Sequence, residues 1–164
     1  MIISLNKLQE YQLELDKVIN KAHNTSYETT RDERLLALLV ELSELANATR
    51  TFKYWSLKGS ESKERVLDEF ADGLHFLLSL TLAYDVTLDE FHVEKEEGIS
   101  LTEMFLKTYD AINRFYVDRS EDSLLLAFKT YLSLGIALKF SKEDIINGYL
   151  KKISVNYKRQ EEGY

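Results

Sequence analysis

The chain has 164 residues, 45% of them hydrophobic and 30% charged, which is enough for one well-buried core and too apolar for a disordered chain. Its formal net charge of −7 excludes a broad electrostatic grip on nucleic acid, and the absence of cysteine excludes disulfides, thiolate metal sites and a cysteine nucleophile. No apolar run has the length of a membrane span, and the amino terminus MIISLNKLQEYQ lacks the layout of a signal peptide, so the cytoplasm is the expected compartment.

Proline is missing too, where about 5% of residues would be usual, so nothing forces a helix to stop. Apolar spacing is helical almost throughout, and it predicts helices at Leu5 to Ala22, Arg31 to Thr51 and Ser62 to Tyr84. A short helix from Thr87 to Glu94 then leads into longer ones at Leu101 to Val117, Glu121 to Lys139 and Lys142 to Arg159. The start signals agree. Thr30 with Glu33, Thr87 with Glu90 and Ser100 with Glu103 each have the capping-box form of a hydroxyl followed three residues later by glutamate. Ser141 with Asp144, and Ser120 ahead of Glu121 and Asp122, are looser versions that also place acid in a first turn. Connectors such as SLKGSES and EKEEGIS are short, and no repeat or linker divides the chain. The expectation is one all-α domain over residues 1–164, built as a helical bundle. The second helix is apolar on nearly every side, more than one buried face requires, which points to a subunit interface in a twofold dimer.

Four acids stand out against this apolar background. Glu41 and Glu44 interrupt LLALLVELSELA, and Glu69 and Asp72 sit just before LHFLLSLTLAY. Residues three apart on a helix lie side by side, so each pair can aim its oxygens at one point. On the second helix the stripe runs Ala37, Glu41, Glu44, Ala48, with small residues leaving room beside the acids. On the third it runs Arg65, Glu69, Asp72, Phe76, with His75 at its edge. Unpaired anions in an apolar setting are costly, and a divalent cation satisfies them. Oxygen-only ligands suit Mg²⁺, with Mn²⁺ able to substitute. A di-iron bundle would want two Glu-x-x-His motifs, and only Asp72-x-x-His75 comes close. The bland alternative is a pair of solvated acidic faces with Lys63 and Arg65 as surface partners. For one Glu-x-x-Glu alone it would prevail.

The run ELSELANATRTFKYWS, then DEFADGLHFLLSL, then the closing YLKKISVNYKRQEEGY resembles the dimeric dUTPases of bacteria and their phages, within the all-α nucleoside triphosphate pyrophosphatase superfamily. The two acidic pairs mark the superfamily. The FKYW segment, the D-x-x-HF segment, the terminal N-x-x-RQ-x-x-GY and the amino-terminal pair Gln12 and Asp16 mark the branch more narrowly. The resemblance implies that Glu41, Glu44, Glu69 and Asp72 hold Mg²⁺ ions bridging a triphosphate, with Glu41 deprotonating the attacking water. It implies that Gln12, Asp16, Trp55 and His75 line a deoxyuridine pocket, where an amide can bond a uracil edge and an indole can pack on the ring. Lys152, Asn156 and Arg159 share one face of the last helix and would grip phosphate oxygens, with Lys53 adding a cation from the FKYW turn. The implied reaction is Mg²⁺-dependent hydrolysis of dUTP, and of dUDP, to dUMP in a homodimer. One position departs from the pattern: the residue after Lys152 is commonly polar in this family, and here it is Ile153.

Two other functions fit the residues. A related pyrophosphatase acting on dCTP or a non-canonical nucleotide would keep the acids and change the base pocket. A non-enzymatic helical interaction domain would carry the acids as mere surface. Turnover of a nucleotide panel with and without Mg²⁺ separates all three.

Overall fold

The computed structural model describes residues 1–163; Tyr164, the last residue of the closing N-x-x-RQ-x-x-GY motif, lies outside the described residues. The described elements run β1 (Ile2–Ser4), α1 (Asn6–His23), α2 (Arg31–Thr49), α3 (Lys63–Ala83), β2 (Glu90–His92), α4 (Leu101–Asp118), α5 (Glu121–Ala137) and α6 (Lys142–Glu161). The fold is all-α apart from one two-stranded ribbon.

α3 is the central element, packed against α1, α2, α5 and α6, while α4 and α5 pack on each other. Its composition explains the position: Phe70, Leu74, Leu77, Leu78 and Leu80 are fully buried on different sides of the helix, so it has no face to give to water. Two glycines permit the tightest approaches around it. A Cβ at Gly73 would collide with the hydroxyl of Tyr131, and one at Gly135 of α5 would stand 2.8 Å from the ring of Phe70. The Tyr131 hydroxyl donates to the Phe70 carbonyl at 2.8 Å, and the two rings stack at 4.6 Å. α6 leaves α5 at an angle of 109° and returns across α1 and α3. Among the described residues no single helix is long and apolar enough to cross a membrane.

The helix starts follow the sequence closely where the hydroxyl is free to cap. Ser100 with Glu103 and Ser141 with Asp144 form complete capping boxes, and Ser62 and Ser120 accept from backbone N–H groups of their first turns. Thr30 does not: its hydroxyl donates to the Ser26 carbonyl at 2.6 Å and accepts from Arg34 Nε at 3.0 Å, so no side-chain cap forms.

The predicted helix from Thr87 to Glu94 is wrong. Residues 90–92 are a strand, with Ile2 opposite His92, Ile3 opposite Phe91 and Ser4 opposite Glu90. The α-amino group of Met1 donates to the Val93 carbonyl at 2.6 Å, and Val93 N–H returns a bond to the Met1 carbonyl at 2.9 Å. Val86, Leu88 and Val93 are buried while Thr87, Asp89 and His92 are exposed, the period-two alternation of an extended chain. Gln9 of α1 secures this stretch, donating to the Val86 carbonyl at 2.7 Å and accepting from Leu88 N–H at 3.3 Å.

Without proline, and with few glycines, the chain ends helices by placing ordinary residues in the left-handed region: Asn24, Arg50, Asp85, Arg119 and Lys139 have φ between 52° and 64°. That conformation costs an L-residue roughly 1 kcal/mol, and glycine nothing. Lys139→Gly should therefore raise the free energy of unfolding by about 0.5–1 kcal/mol, read as a higher urea midpoint with an unchanged slope.

Candidate active site

α2 and α3 run antiparallel. At one end Arg31 donates to the Ala83 carbonyl at 2.9 and 3.1 Å, and at the other the Glu61 N–H bonds the Ala48 carbonyl at 3.0 Å. Between these ties the leucines of both helices fill the core, Leu38, Leu42 and Leu45 from one and Leu74, Leu77 and Leu78 from the other. The acidic stripes are thereby brought face to face. Glu41, Glu69 and Asp72 each offer an oxygen within 4.8 Å of the others. Glu44 is exposed and stands outside that group of three, close enough for its charge to act on Glu41 and Glu69.

Burial and mutual repulsion make this cluster hold protons. Burial, then the charges of Asp72, Glu44 and Glu69, push the Glu41 carboxyl up to about 7 from its ordinary 4.5. Glu69 and Asp72 are raised as well, burial being the first cause in each. Neighbouring cations reduce the repulsion. Lys152 of α6, only 5% exposed, places its ammonium 2.7 Å from Asp72 and 3.1 Å from Asp68. Arg65 pairs with Glu69 one turn along α3 and lies 3.3 Å from Asp68. Lys63, by contrast, pairs with Asp144 of α6 at 2.8 Å. Clustered, partly buried all-oxygen donors with surplus negative charge suit a hard divalent cation, so Glu41, Glu69 and Asp72 fit such an ion, with Glu44 at the margin.

Glu41 and Asp72 also line a cavity of about 500 Å³ whose other walls come from α1, α2, α3 and α6. Its floor is a buried polar network. Gln12 Nε2 donates to Asp16 Oδ1 at 2.9 Å, while Gln12 Oε1 faces His75 Nδ1 at 2.6 Å and the Tyr149 hydroxyl at 3.1 Å. Asp16 Oδ2 accepts from Ser79 at 2.6 Å and from Tyr27 at 3.0 Å, and lies 3.4 Å from the Arg34 guanidinium. The His75 ring stacks on Tyr149 at 4.2 Å, and burial pushes its pKa down to about 3, so it is neutral at physiological pH. Its Nε2 is buried without a hydrogen-bond partner among the described residues. Asn156 and Arg159 complete the wall from α6, and the positive charge of Arg159 acts on Asp72. A larger groove of about 650 Å³ between α4 and α5 is lined by Asp110, Asp118 and Asp122, all exposed, and lies apart from the three-carboxylate group.

Of the residues expected at a site, Gln12, Asp16, Glu41, Asp72, His75, Asn156 and Arg159 converge on the one cavity. Glu69 joins through the carboxylate group. Lys152 lies beneath the acids as their counter-ion. Lys53 and Trp55 stand apart on the turn after α2: Trp55 is 64% exposed, edge-on to Phe52 and Tyr54, and neither residue lines the cavity. Ile153 packs against the core. Arg34, Ser79, Tyr27 and Tyr149 were not anticipated. Arg34 closes the charged opening RDER of α2, so nothing in the sequence set it apart from its neighbours.

A helical fold that brings three carboxylates together beside a polar cavity can hold a cation next to a small polar ligand. The family model described as dUTPase matches residues 4–164, and the chain belongs to that family, the dUTP diphosphatases. No curated protein matches the chain.

The cluster gives a signed pH dependence. A carboxyl raised in the folded state adds stability below its unfolded value and loses it as pH rises through its folded value. Without metal, the stability of Glu41→Gln relative to the unmodified protein should rise between pH 4.5 and about 7 and level off above. Taking the difference cancels His75, whose lowered pKa removes stability from both proteins as pH falls below 6.5. Urea midpoints across that range check it.

Proposed function

We propose that this chain, as one domain over residues 1–164, hydrolyses dUTP and dUDP to dUMP in a Mg²⁺-dependent reaction in the cytoplasm. The observation that carries the reading is that two chemistries open on one cavity: the carboxylates Glu41 and Asp72 at one part of its wall, and the buried amide–imidazole network of Gln12, Asp16 and His75 at another. The first suits a metal-bound polyphosphate, the second a base that must be recognised by hydrogen bonds. The family match does not favour the dCTP alternative.

In this reading Glu41, Glu44, Glu69 and Asp72 hold the metal, which supplies Lewis acidity to the phosphates and a more acidic water. Glu41, half-buried where the carboxylate group meets the cavity, is placed to accept a proton from the attacking water. Arg159 and Asn156 reach the phosphates from α6. Lys152 holds Asp72 in place until the substrate's charge arrives, then shares its proton donors with a phosphate oxygen. Lys53 and Trp55, on an exposed turn, close over the nucleotide when it binds.

Glu44→Gln and Asp72→Asn should each reduce dUTP turnover by about a thousandfold or more while far-ultraviolet circular dichroism stays unchanged. The deciding experiment is a panel of dUTP, dUDP, dCTP, dTTP and UTP assayed with and without Mg²⁺. Turnover of dCTP in preference to dUTP, or full activity of either variant, ends this reading.

We also propose a homodimer. α2 buries Leu35, Leu38, Leu42 and Leu45 yet leaves Leu36 63% and Val40 47% exposed, so one apolar edge of the helix remains for a second copy. Sedimentation should give twice the 19.1 kDa chain mass at micromolar concentration, and Leu36→Glu with Val40→Glu should halve it.

A further inference from the structure

The hydrogen bonds of the cavity floor fix its protons in a chain that ends at a bare nitrogen; the Tyr149 hydroxyl alone has a choice, with the Leu8 carbonyl and Gln12 Oε1 both at 3.1 Å. Arg34 is a donor at every nitrogen, and it donates to the hydroxyl of Ser79. Ser79 must then turn its own proton toward Asp16 Oδ2, 2.6 Å away. Tyr27 donates to the same oxygen at 3.0 Å. The remaining oxygen, Oδ1, accepts from the Gln12 amide nitrogen at 2.9 Å, which fixes which end of the Gln12 amide points where. Gln12 Oε1 is therefore the atom facing His75 Nδ1 at 2.6 Å, and an acceptor there requires the imidazole proton to sit on Nδ1. In a neutral ring the other nitrogen is then a lone pair. It is the buried Nε2 that has no hydrogen-bond partner within bonding geometry among the described residues, on a histidine that lines the cavity, stacks on Tyr149 and also feels the Tyr149 backbone.

We propose that Asp16, held by Arg34, Ser79 and Tyr27, acts through Gln12 to fix the tautomer of His75, so that its Nε2 accepts the N3–H of a uracil ring. The proposal rests on reading the cavity as the nucleoside pocket. It assigns the discrimination between uracil and cytosine to a chain of positioning residues. Uracil presents a donor at N3 and cytosine an acceptor, so a lone pair fixed opposite that atom bonds one base and repels the other. A site that leaves a buried polar atom unpaired with the wrong ligand discriminates far more strongly than one that differs only in shape. Thymine shares the N3–H and must be excluded by other walls.

Asp16→Asn reverses the relay with almost no change in shape. Arg34, Ser79 and Tyr27 still demand an acceptor at the Oδ2 position, so the new amide must place its oxygen there and its nitrogen toward Gln12. Gln12 then turns over, its amino group faces His75 Nδ1, and the imidazole proton moves to Nε2.

The test is long-range proton–nitrogen NMR on protein labelled with ¹⁵N-histidine, with the resonances of His75 identified by their loss in His75→Gln and the probes being dUMP and dCMP. The unmodified protein should carry the proton on Nδ1, and dUMP, but not dCMP, should move the Nε2 resonance. In Asp16→Asn the proton should sit on Nε2, with dUMP affinity falling about tenfold to a hundredfold and dCMP affinity holding or rising, since a donor now faces the cytosine N3 acceptor. A proton on Nε2 in the unmodified protein overturns the relay, and since that spectrum needs neither ligand nor variant, it decides even if Asp16→Asn does not fold. Equal loss of both nucleotides in Asp16→Asn, or an equal response of Nε2 to both in the unmodified protein, also overturns it. If dUMP does not bind the unmodified protein at all, the nucleoside reading falls and takes this proposal with it. If dUMP binds and the tautomer is wrong, only the relay falls.

Discussion

The antiparallel contact of α2 with α3 is the constraint on which the rest depends. Leucines on both helices fix their register, and the register sets Glu41 against Glu69 and Asp72. Such a contact stores repulsion, because hydrophobic packing brings together groups that would separate if free. The apolar area of a few buried leucines, at roughly 25 cal/mol per Å², is the term that outweighs it. The protein does not cancel the repulsion completely. Lys152, Arg65 and Arg159 are cations set among Asp68, Glu69, Asp72, Glu41 and Glu44, yet burial first, and the repulsion left over after it, leave carboxyl groups that bind protons too tightly. A cation entering there relieves a stress already present, which is why the cluster is better read as a receptor for charge than as a structural salt-bridge network.

α6 joins the two chemistries. Its Lys152 reaches the acids, and one turn earlier its Tyr149 stacks on His75 and donates to Gln12. Gly148 lets α6 lie close to α3, where a Cβ would stand 3.1 Å from Leu67. The same helix then carries Asn156 and Arg159 to the cavity. A displacement of α6 would therefore disturb the base-facing network and the acidic cluster together. The overall charge of −7 does not oppose a polyanionic ligand at this place, since field strength there is set by the local cations and by whatever metal is bound.

What was legible in the sequence was what repeats locally. Helical periodicity gave the helices of the bundle, and Ser100 with Glu103 and Ser141 with Asp144 gave starts because a capping box uses only residues three apart. The two acidic pairs could be read for the same reason, each lying within one turn. Residues 86–93 failed because their short apolar run suits either period, and the partner that decides, residues 2–4, lies some ninety positions away. The Thr30 cap failed because Arg34 took the hydroxyl. Gln12 and Asp16 entered through resemblance alone, and helical spacing placed His75 only at the edge of the acidic stripe. Arg34, Ser79, Tyr27 and Tyr149 escaped because each is ordinary by itself and acquires a role only when α1, α2, α3 and α6 close around it.

The two parts of the cavity place opposite demands on the solvent. Recognition of a base by single hydrogen bonds requires dryness, because a water at the Nε2 lone pair would satisfy it and erase the preference for a donor. Hydrolysis requires water at the acids. The structure separates these needs along the cavity: Gln12, Asp16, Ser79 and Tyr149 are all but inaccessible, whereas Glu41 and Asp72 keep partial exposure and Glu44 stands in solvent. The nucleotide itself would complete the separation, its base filling the dry part and its phosphates occupying the wet one. On the proposed reading, selectivity and turnover would reside in different residues of one wall, and substitutions at one part would alter which base is accepted without removing the groups that activate water at the other.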